Sequence, residues 1–179
     1  MKYFYLGSMA DVDWEALAAI RDCVGGEFGV PVRDLALPGP EFAYDAGRGQ
    51  WSSTAILEML IRRCPDDAVK ILAVTERDLF IPVLTFVYGH AQLGGRAAVV
   101  SLARLRQEFY GLAPNREVFV ERAAKEALHE AGHAFGLAHC TEADCAMSLA
   151  TNIRQIDRKR AALCAACTAR LSAGRGSKR

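Results

Sequence analysis

Apolar and polar positions alternate with two different periods along this chain of 179 residues. Lys2–Leu6 is a short apolar run and predicts a strand. From Val12 to Val24, the residues Val12, Leu17, Ile20 and Val24 recur near helical spacing, and Gly25-Gly26 is expected to stop that helix. Val30–Leu37 reads as a second strand and Asp45–Gln50 as a loop. Ser52 or Ser53 can cap a helix running to about Arg63, which must end before Pro65. Val69–Val74 is almost wholly apolar and is expected to lie centrally in a sheet. Val83–Tyr88 and Ala97–Leu102 predict two further strands, joined by a Gly89–Gly95 turn. Asn115 can cap a long helix whose first turns carry Glu117 and Glu121, acidic residues favoured by the helix dipole. Alternating strands and helices of this kind predict a mixed α/β fold.

Composition adds little that is unusual. Half the chain is apolar and a quarter charged, as in an ordinary globular domain. No apolar run approaches the ~20 residues needed to cross a membrane. Charge is uneven. Ile153 to Arg179 holds eight Lys or Arg and one Asp, a net +7, leaving −6 for the rest of a chain whose total is +1. The expectation is a solvated helix face around Arg158-Lys159-Arg160 and a frayed tail from Gly174 to Arg179. No aromatic residues interleave with these charges, so no nucleic-acid partner is expected.

The chemistry concentrates near the end of the long helix. His129-Glu130-Ala131-Gly132-His133-Ala134-Phe135-Gly136-Leu137-Ala138-His139 has the form H-E-x-x-H-x-x-G-x-x-H. Residues four apart share a helix face, so His129 and His133 can grip one zinc ion. Glu130 lies between them and can reach the open coordination position as general base. Gly136 can end the helix in a left-handed conformation and let His139 return as third ligand. Three protein ligands with a position left for water describe a catalytic zinc site. The bland alternative is an amphipathic helix with two satisfied surface histidines, and the added glycine and third histidine argue against it.

Four of the six cysteines follow this motif. Cys140 and Cys145 form one pair, and Cys164 and Cys167 form a C-x-x-C pair. Together they suit a closed tetrahedral zinc site. Disulfides are the first competing reading. The N-terminus is apolar only from Met1 to Leu6 before Asp11 and Asp13, so no signal sequence is read and a cytoplasmic location is expected. Reduced thiols there favour metal. Redox chemistry at Cys164–Cys167 is the second alternative, without the strand-then-helix context of a thioredoxin-like site. Cys23 and Cys64 are expected to fill apolar space on the first two helices.

His129 to His139, with Cys140, Cys145, Met147, Cys164 and Cys167, resembles the signature of the archaemetzincin family of metzincin zinc peptidases. Asp78-Leu79-Phe80, Phe86–Ala91 and Glu108–Gly111 also look like family segments. The resemblance implies two zinc ions, one catalytic on His129, His133 and His139 and one structural on Cys140, Cys145, Cys164 and Cys167. It implies Glu130 as general base and Met147 as the methionine of the Met-turn. It further implies a metzincin-like mixed twisted sheet with an antiparallel edge strand along the cleft, for which Val83–Tyr88 is the candidate. The expected division is 1–136, with the active-site helix, and 137–179, a small zinc-stabilised C-terminal subdomain.

The expected function is a zinc-dependent metallopeptidase acting on peptides or restricted protein substrates. No pro-segment is read before the first strand, which favours oligopeptide cleavage or aminopeptidase-type trimming. Astacin-like and serralysin-like metzincins place a Tyr soon after the Met-turn. Here Ser148 to Leu163 contains none. The oxyanion is expected to rely on the zinc itself or on one of the candidate donors Arg154, Asn152, Tyr88 and His90. The competing functions are a catalytically weak zinc-binding interaction module and a nucleic-acid-binding zinc ribbon.

Overall fold

A computed structural model describes the backbone of residues 1–176 and the side chains up to residue 174. The expected frayed tail lies outside the described residues from 177 onward. The main sheet is built from β1 (Tyr3–Met9), β2 (Val32–Leu37), β5 (Ala68–Thr75), β8 (Gly89–Ala91) and β9 (Ala97–Ser101). Its order is β2-β1-β5-β9-β8. The first four strands run parallel, and β8 is an antiparallel edge. The expected mixed α/β fold with an antiparallel edge strand is therefore present.

Each central strand divides its side chains between two cores, as a period of two requires. Phe4, Leu6, Leu72, Val74, Ala98 and Val100 face one layer. That layer is formed by α1 (Trp14–Phe28) and α3 (Arg116–Ala134). Tyr5, Met9, Ile71, Ala73, Ala97 and Val99 face the other, which packs on α2 (Ser53–Arg63). Ser52 caps α2 and Asn115 caps α3 as the sequence predicted.

Gly25-Gly26 does not stop α1. The helix runs on to Phe28 and ends at Gly29, whose φ of 57° is left-handed. Two helical glycines cost about 1 kcal/mol each relative to alanine. Burial of Val24 and Phe28 on the same face offsets that cost. At Gly25 a Cβ would also stand only 3.2 Å from Val32 Cγ2, so the glycine admits a close helix–strand approach.

Val83–Tyr88 is not the edge strand of the main sheet. A second sheet, ordered β3-β4-β6-β7, contains β3 (Tyr44–Asp45), β4 (Gln50–Ser52), β6 (Leu79–Ile81) and β7 (Leu84–Val87). Leu84–Val87 pairs antiparallel with β6. The chain then passes through Tyr88 into β8, so the expected Gly89–Gly95 turn begins with a strand. Gly89 and His90 carry no apolar alternation. Their strand is specified by pairing with β9 and by packing against α3. Beyond α3, short helices α4 (Ile153–Arg158) and α5 (Ala165–Gly176) close the described chain.

Candidate metal centre and active site

The last two turns of α3 carry His129, Glu130 and His133. Gly136 has a φ of 97°, the left-handed turn expected after the helix. Leu137 N–H donates to Gly132 O at 2.9 Å, and Gly94 N–H from the β8–β9 turn donates to His133 O at 2.9 Å. The helix end is thus fixed by the loop that follows it and by the edge hairpin. The turn returns His139 to the helix, and one ligand nitrogen from each histidine lies within 4.8 Å of the others.

Hydrogen bonds orient two of the rings. His129 Nδ1 donates to Ala146 O at 2.8 Å, and His133 Nδ1 donates to Leu137 O at 2.7 Å. Each Nδ1 therefore carries the ring proton, and each Nε2 presents a lone pair. Those two Nε2 atoms are 3.0 Å apart. Two facing lone pairs repel unless a cation sits between them. Two nitrogens bound tetrahedrally to zinc at about 2.0–2.1 Å would stand roughly 3.4 Å apart, close to the spacing here. Burial holds all three imidazoles below their ordinary pKa, most strongly His129, which keeps the lone pairs free.

Glu130 is buried at the same cavity, and burial followed by the nearby Glu126 carboxylate raises its pKa well above the usual range. A Cβ on Gly89 would lie 2.6 Å from Glu130 Cδ, so the edge strand leaves room for this carboxylate only by lacking a side chain. Met147 is fully buried, and its sulfur occupies the space that a Cβ on Gly132 would need. It therefore packs under the helix between the two histidines.

The second cluster is Cys140, Cys145, Cys164 and Cys167, whose sulfurs lie within 4.8 Å of one another. Cys140 Sγ is 3.7 Å from Cys164 Sγ, and Cys145 Sγ is 3.8 Å from Cys167 Sγ. A disulfide requires about 2.05 Å. Four thiolates around zinc at about 2.3 Å stand roughly 3.8 Å apart. The spacing thus suits metal. A backbone N–H from Cys167 pulls the Cys164 thiol down to about 7.

The cavity beside the histidines measures about 650 Å³. Phe86, Val87 and Tyr88 line one wall, and Leu149, Ala150 and Thr151 line the other. Of the four candidate oxyanion donors, Tyr88 belongs to this wall, with its hydroxyl 3.4 Å from that of Tyr110. His90 borders the cavity from β8, but its Nδ1 is 3.0 Å from Ser53 Oγ at the start of α2. That contact draws its ring to the opposite face of the sheet. Asn152 is occupied in capping α4, and Arg154 is exposed on that helix.

The sequence reading missed one pair. Lys159, expected on a solvated face, is 2% exposed. Its Nζ donates to Glu126 Oε1 at 2.9 Å, and Glu126 borders the cavity. The signal was present in Arg122, Lys125 and Glu126, charged residues interleaved with Ala123, Ala124, Ala127 and Leu128 just before the motif. They are buried and need partners. Arg122 finds Asp157 through two bonds of 2.6 and 2.8 Å.

Comparison with known proteins agrees with this geometry. The family model described as Peptidase family M54 matches residues 37–173. The archaemetzincin of Methanocaldococcus jannaschii is 42% identical over 167 residues, covering 91% of this chain and 89% of that protein. The crystal structure of archaemetzincin from Methanopyrus kandleri superposes with a TM-score of 0.86 at 34% identity, covering 98% of this chain and 96% of that one. A zinc-dependent peptidase from Methanocorpusculum labreanum gives a TM-score of 0.83 at 30% identity, covering 94% of this chain and 99% of that one. An interaction module without catalysis is not favoured by this kinship. With its fold, its two clusters of side chains that could hold a metal ion and these relatives, the chain belongs to peptidase family M54, the archaemetzincins, and is a zinc-dependent metallopeptidase.

Proposed function

We propose that His129, His133 and His139 hold the catalytic zinc and that Glu130 is the general base of peptide hydrolysis. The observation that carries this is the pair of Nε2 atoms 3.0 Å apart, each on a ring whose Nδ1 already serves a carbonyl. A zinc ion held by His129, His133 and His139 would supply Lewis acidity toward a bound water and the scissile carbonyl. Glu130 takes the proton from water and passes it to the leaving amine. Burial, followed by the nearby Glu126 carboxylate, raises its pKa above the ordinary carboxylate range, which makes it a stronger proton acceptor. His129 and His133 are held in the metal-binding tautomer by the carbonyls of Ala146 and Leu137. Met147 supports the helix beneath them.

Cys140, Cys145, Cys164 and Cys167 hold a second, structural zinc, giving two ions per chain. Cys145 adjoins Ala146, so this closed site steadies the carbonyl that orients His129. The chain divides functionally at 136/137, with the helix and sheet before that point and the cysteine-stapled segment after it. Substrates are peptides or restricted proteins laid along the Leu84–Ala91 edge, where main-chain groups offer strand pairing. Among the described residues no helix is long and apolar enough to cross a membrane.

Metal analysis combined with a fluorogenic peptide library tests this reading. Two equivalents of zinc and hydrolysis lost in Glu130→Ala are expected. One equivalent with disulfide-linked cysteines would remove the structural zinc. Equal rates for wild type and Glu130→Ala would remove Glu130 from its role.

A further inference from the structure

Glu126 lies one turn before Glu130 on α3 and borders the same cavity. Its partner Lys159 comes from just beyond α4, 33 residues away, and their side chains are 4% and 0% exposed. A buried ion pair is a poor stabiliser compared with well-packed apolar residues. Its Glu126 end borders the cavity beside the histidines.

The cavity walls are apolar or aromatic at Phe86, Val87, Tyr88, Leu149 and Ala150, and the volume exceeds that of one large side chain. Glu126 and Glu130 reach the lining, whereas Lys159 lies behind Glu126 and does not. We propose that the Glu126–Lys159 pair is the specificity-determining base of the cleft, selecting peptides with a bulky apolar side chain beside the scissile bond and rejecting acidic ones. This rests on the reading of the histidine cluster as the catalytic centre.

The selection has two sources. An apolar side chain gains burial against the walls, where a single methylene is worth about 10–200-fold in kcat/KM. An acidic side chain loses its water and meets two carboxylates, while the nearby ammonium is already committed to Glu126. That repulsion discriminates as strongly as the attraction does. A basic side chain must compete with a preformed pair for Glu126, so it falls between the two.

A peptide series identical except for Leu, Phe, Lys or Asp on either side of the scissile bond tests the proposal. Wild type should hydrolyse the Leu and Phe peptides at least ~100-fold better than the Asp peptide. Glu126→Gln releases the Lys159 charge toward the cavity and should improve the Asp peptide relative to Leu by about 10-fold or more. Glu126→Gln with Lys159→Met removes both charges of the pair and leaves Glu130 as the remaining carboxylate at the lining, so it should keep the apolar preference and narrow the gap between the Lys and Asp peptides. Leu149→Lys at the exposed rim adds a cation without disturbing the buried pair, and it too should favour Asp. An unchanged ranking in the variants that fold, Leu149→Lys included, overturns the proposal, as does a wild type without preference. A zinc-loaded wild type that cleaves no member of the series overturns the underlying reading of the histidine cluster instead, and the proposal with it.

Discussion

The histidine and cysteine clusters meet at the His139–Cys140 peptide bond, yet they are built on different supports. Two histidines come from successive turns of a helix that is capped by Asn115 and buried along its length. That helix would persist without metal. The third histidine is exposed, and the cluster opens on a cavity. The cysteines come from loops and from the start of α5, and none of them lines the cavity. A metal on these four sulfurs, as proposed above, would hold the loops rather than the reverse. Dependence runs one way between them. Ala146, next to Cys145, orients His129 through its carbonyl and is itself fixed by its N–H donating to Ala162 O at 3.0 Å. Damage at the cysteines should reach the histidines, and damage at the histidines should stay local.

The largest effect is therefore expected at Cys164. Structural zinc can supply on the order of 10 kcal/mol of apparent folding free energy. Cys164→Ser should lower the melting temperature steeply and reduce the content of both metals. His133→Ala should lose one equivalent of zinc and melt within a few degrees of wild type. Thermal melting beside metal analysis makes the comparison. A Cys164→Ser protein that melts normally with two equivalents would break it.

Glu130 tests the open site without touching a ligand. Glu130→Ala should keep both metals and lower peptide hydrolysis by the ~10²–10⁴-fold typical of positioned proton transfer. Glu130→Gln should fail similarly, because an amide cannot accept the proton. Next in size is Gly89→Ala. Its Cβ would lie 2.6 Å from both Cδ and Oε1 of Glu130, so the carboxylate must move. A displacement of about 1 Å can cost 10²-fold in rate. The fall should appear in kcat with zinc content unchanged. A variant with wild-type kcat would show that Glu130 does not work from the position seen here.

Much of this was legible in the sequence because the informative signals were local. The capped helix, Gly136 and the three histidines lie within one continuous segment, where spacing alone fixes geometry. The alternating cores of β1, β5 and β9 were equally readable from apolar runs. The second sheet was not, since strands of two to four residues are too short to display a period. The edge strand Gly89–Ala91 was hidden for a different reason. Its glycine looks like a turn, but it is required by the Glu130 side chain, 41 positions away in the sequence. Lys159 was misjudged because its neighbours Arg158 and Arg160 are indeed exposed. Its partner Glu126 lies 33 residues earlier, and no local pattern joins the two.

The smallest effect is expected at the remaining cysteines, and it sharpens the contrast between the clustered thiols and thiols that fill space. Cys23 is half-buried on α1, with its sulfur 3.6 Å from Ala161 O and 3.9 Å from Ala124 O. Burial, helped by the nearby Glu27, pushes its thiol up to about 11, so it stays protonated at neutral pH. Cys64 ends α2 and packs partly against the core on that face. Neither belongs to the four-sulfur cluster. Cys23→Ala and Cys64→Ala should each cost no more than about 1 kcal/mol, as expected when a small half-buried side chain is trimmed. For a chain of this size that corresponds to a melting shift of about 2–4 °C. Zinc content should remain at two equivalents and peptide hydrolysis should be unchanged. Loss of metal in either variant would show that the second site draws on a sulfur outside Cys140, Cys145, Cys164 and Cys167, and that the cysteine cluster is less closed than its geometry implies.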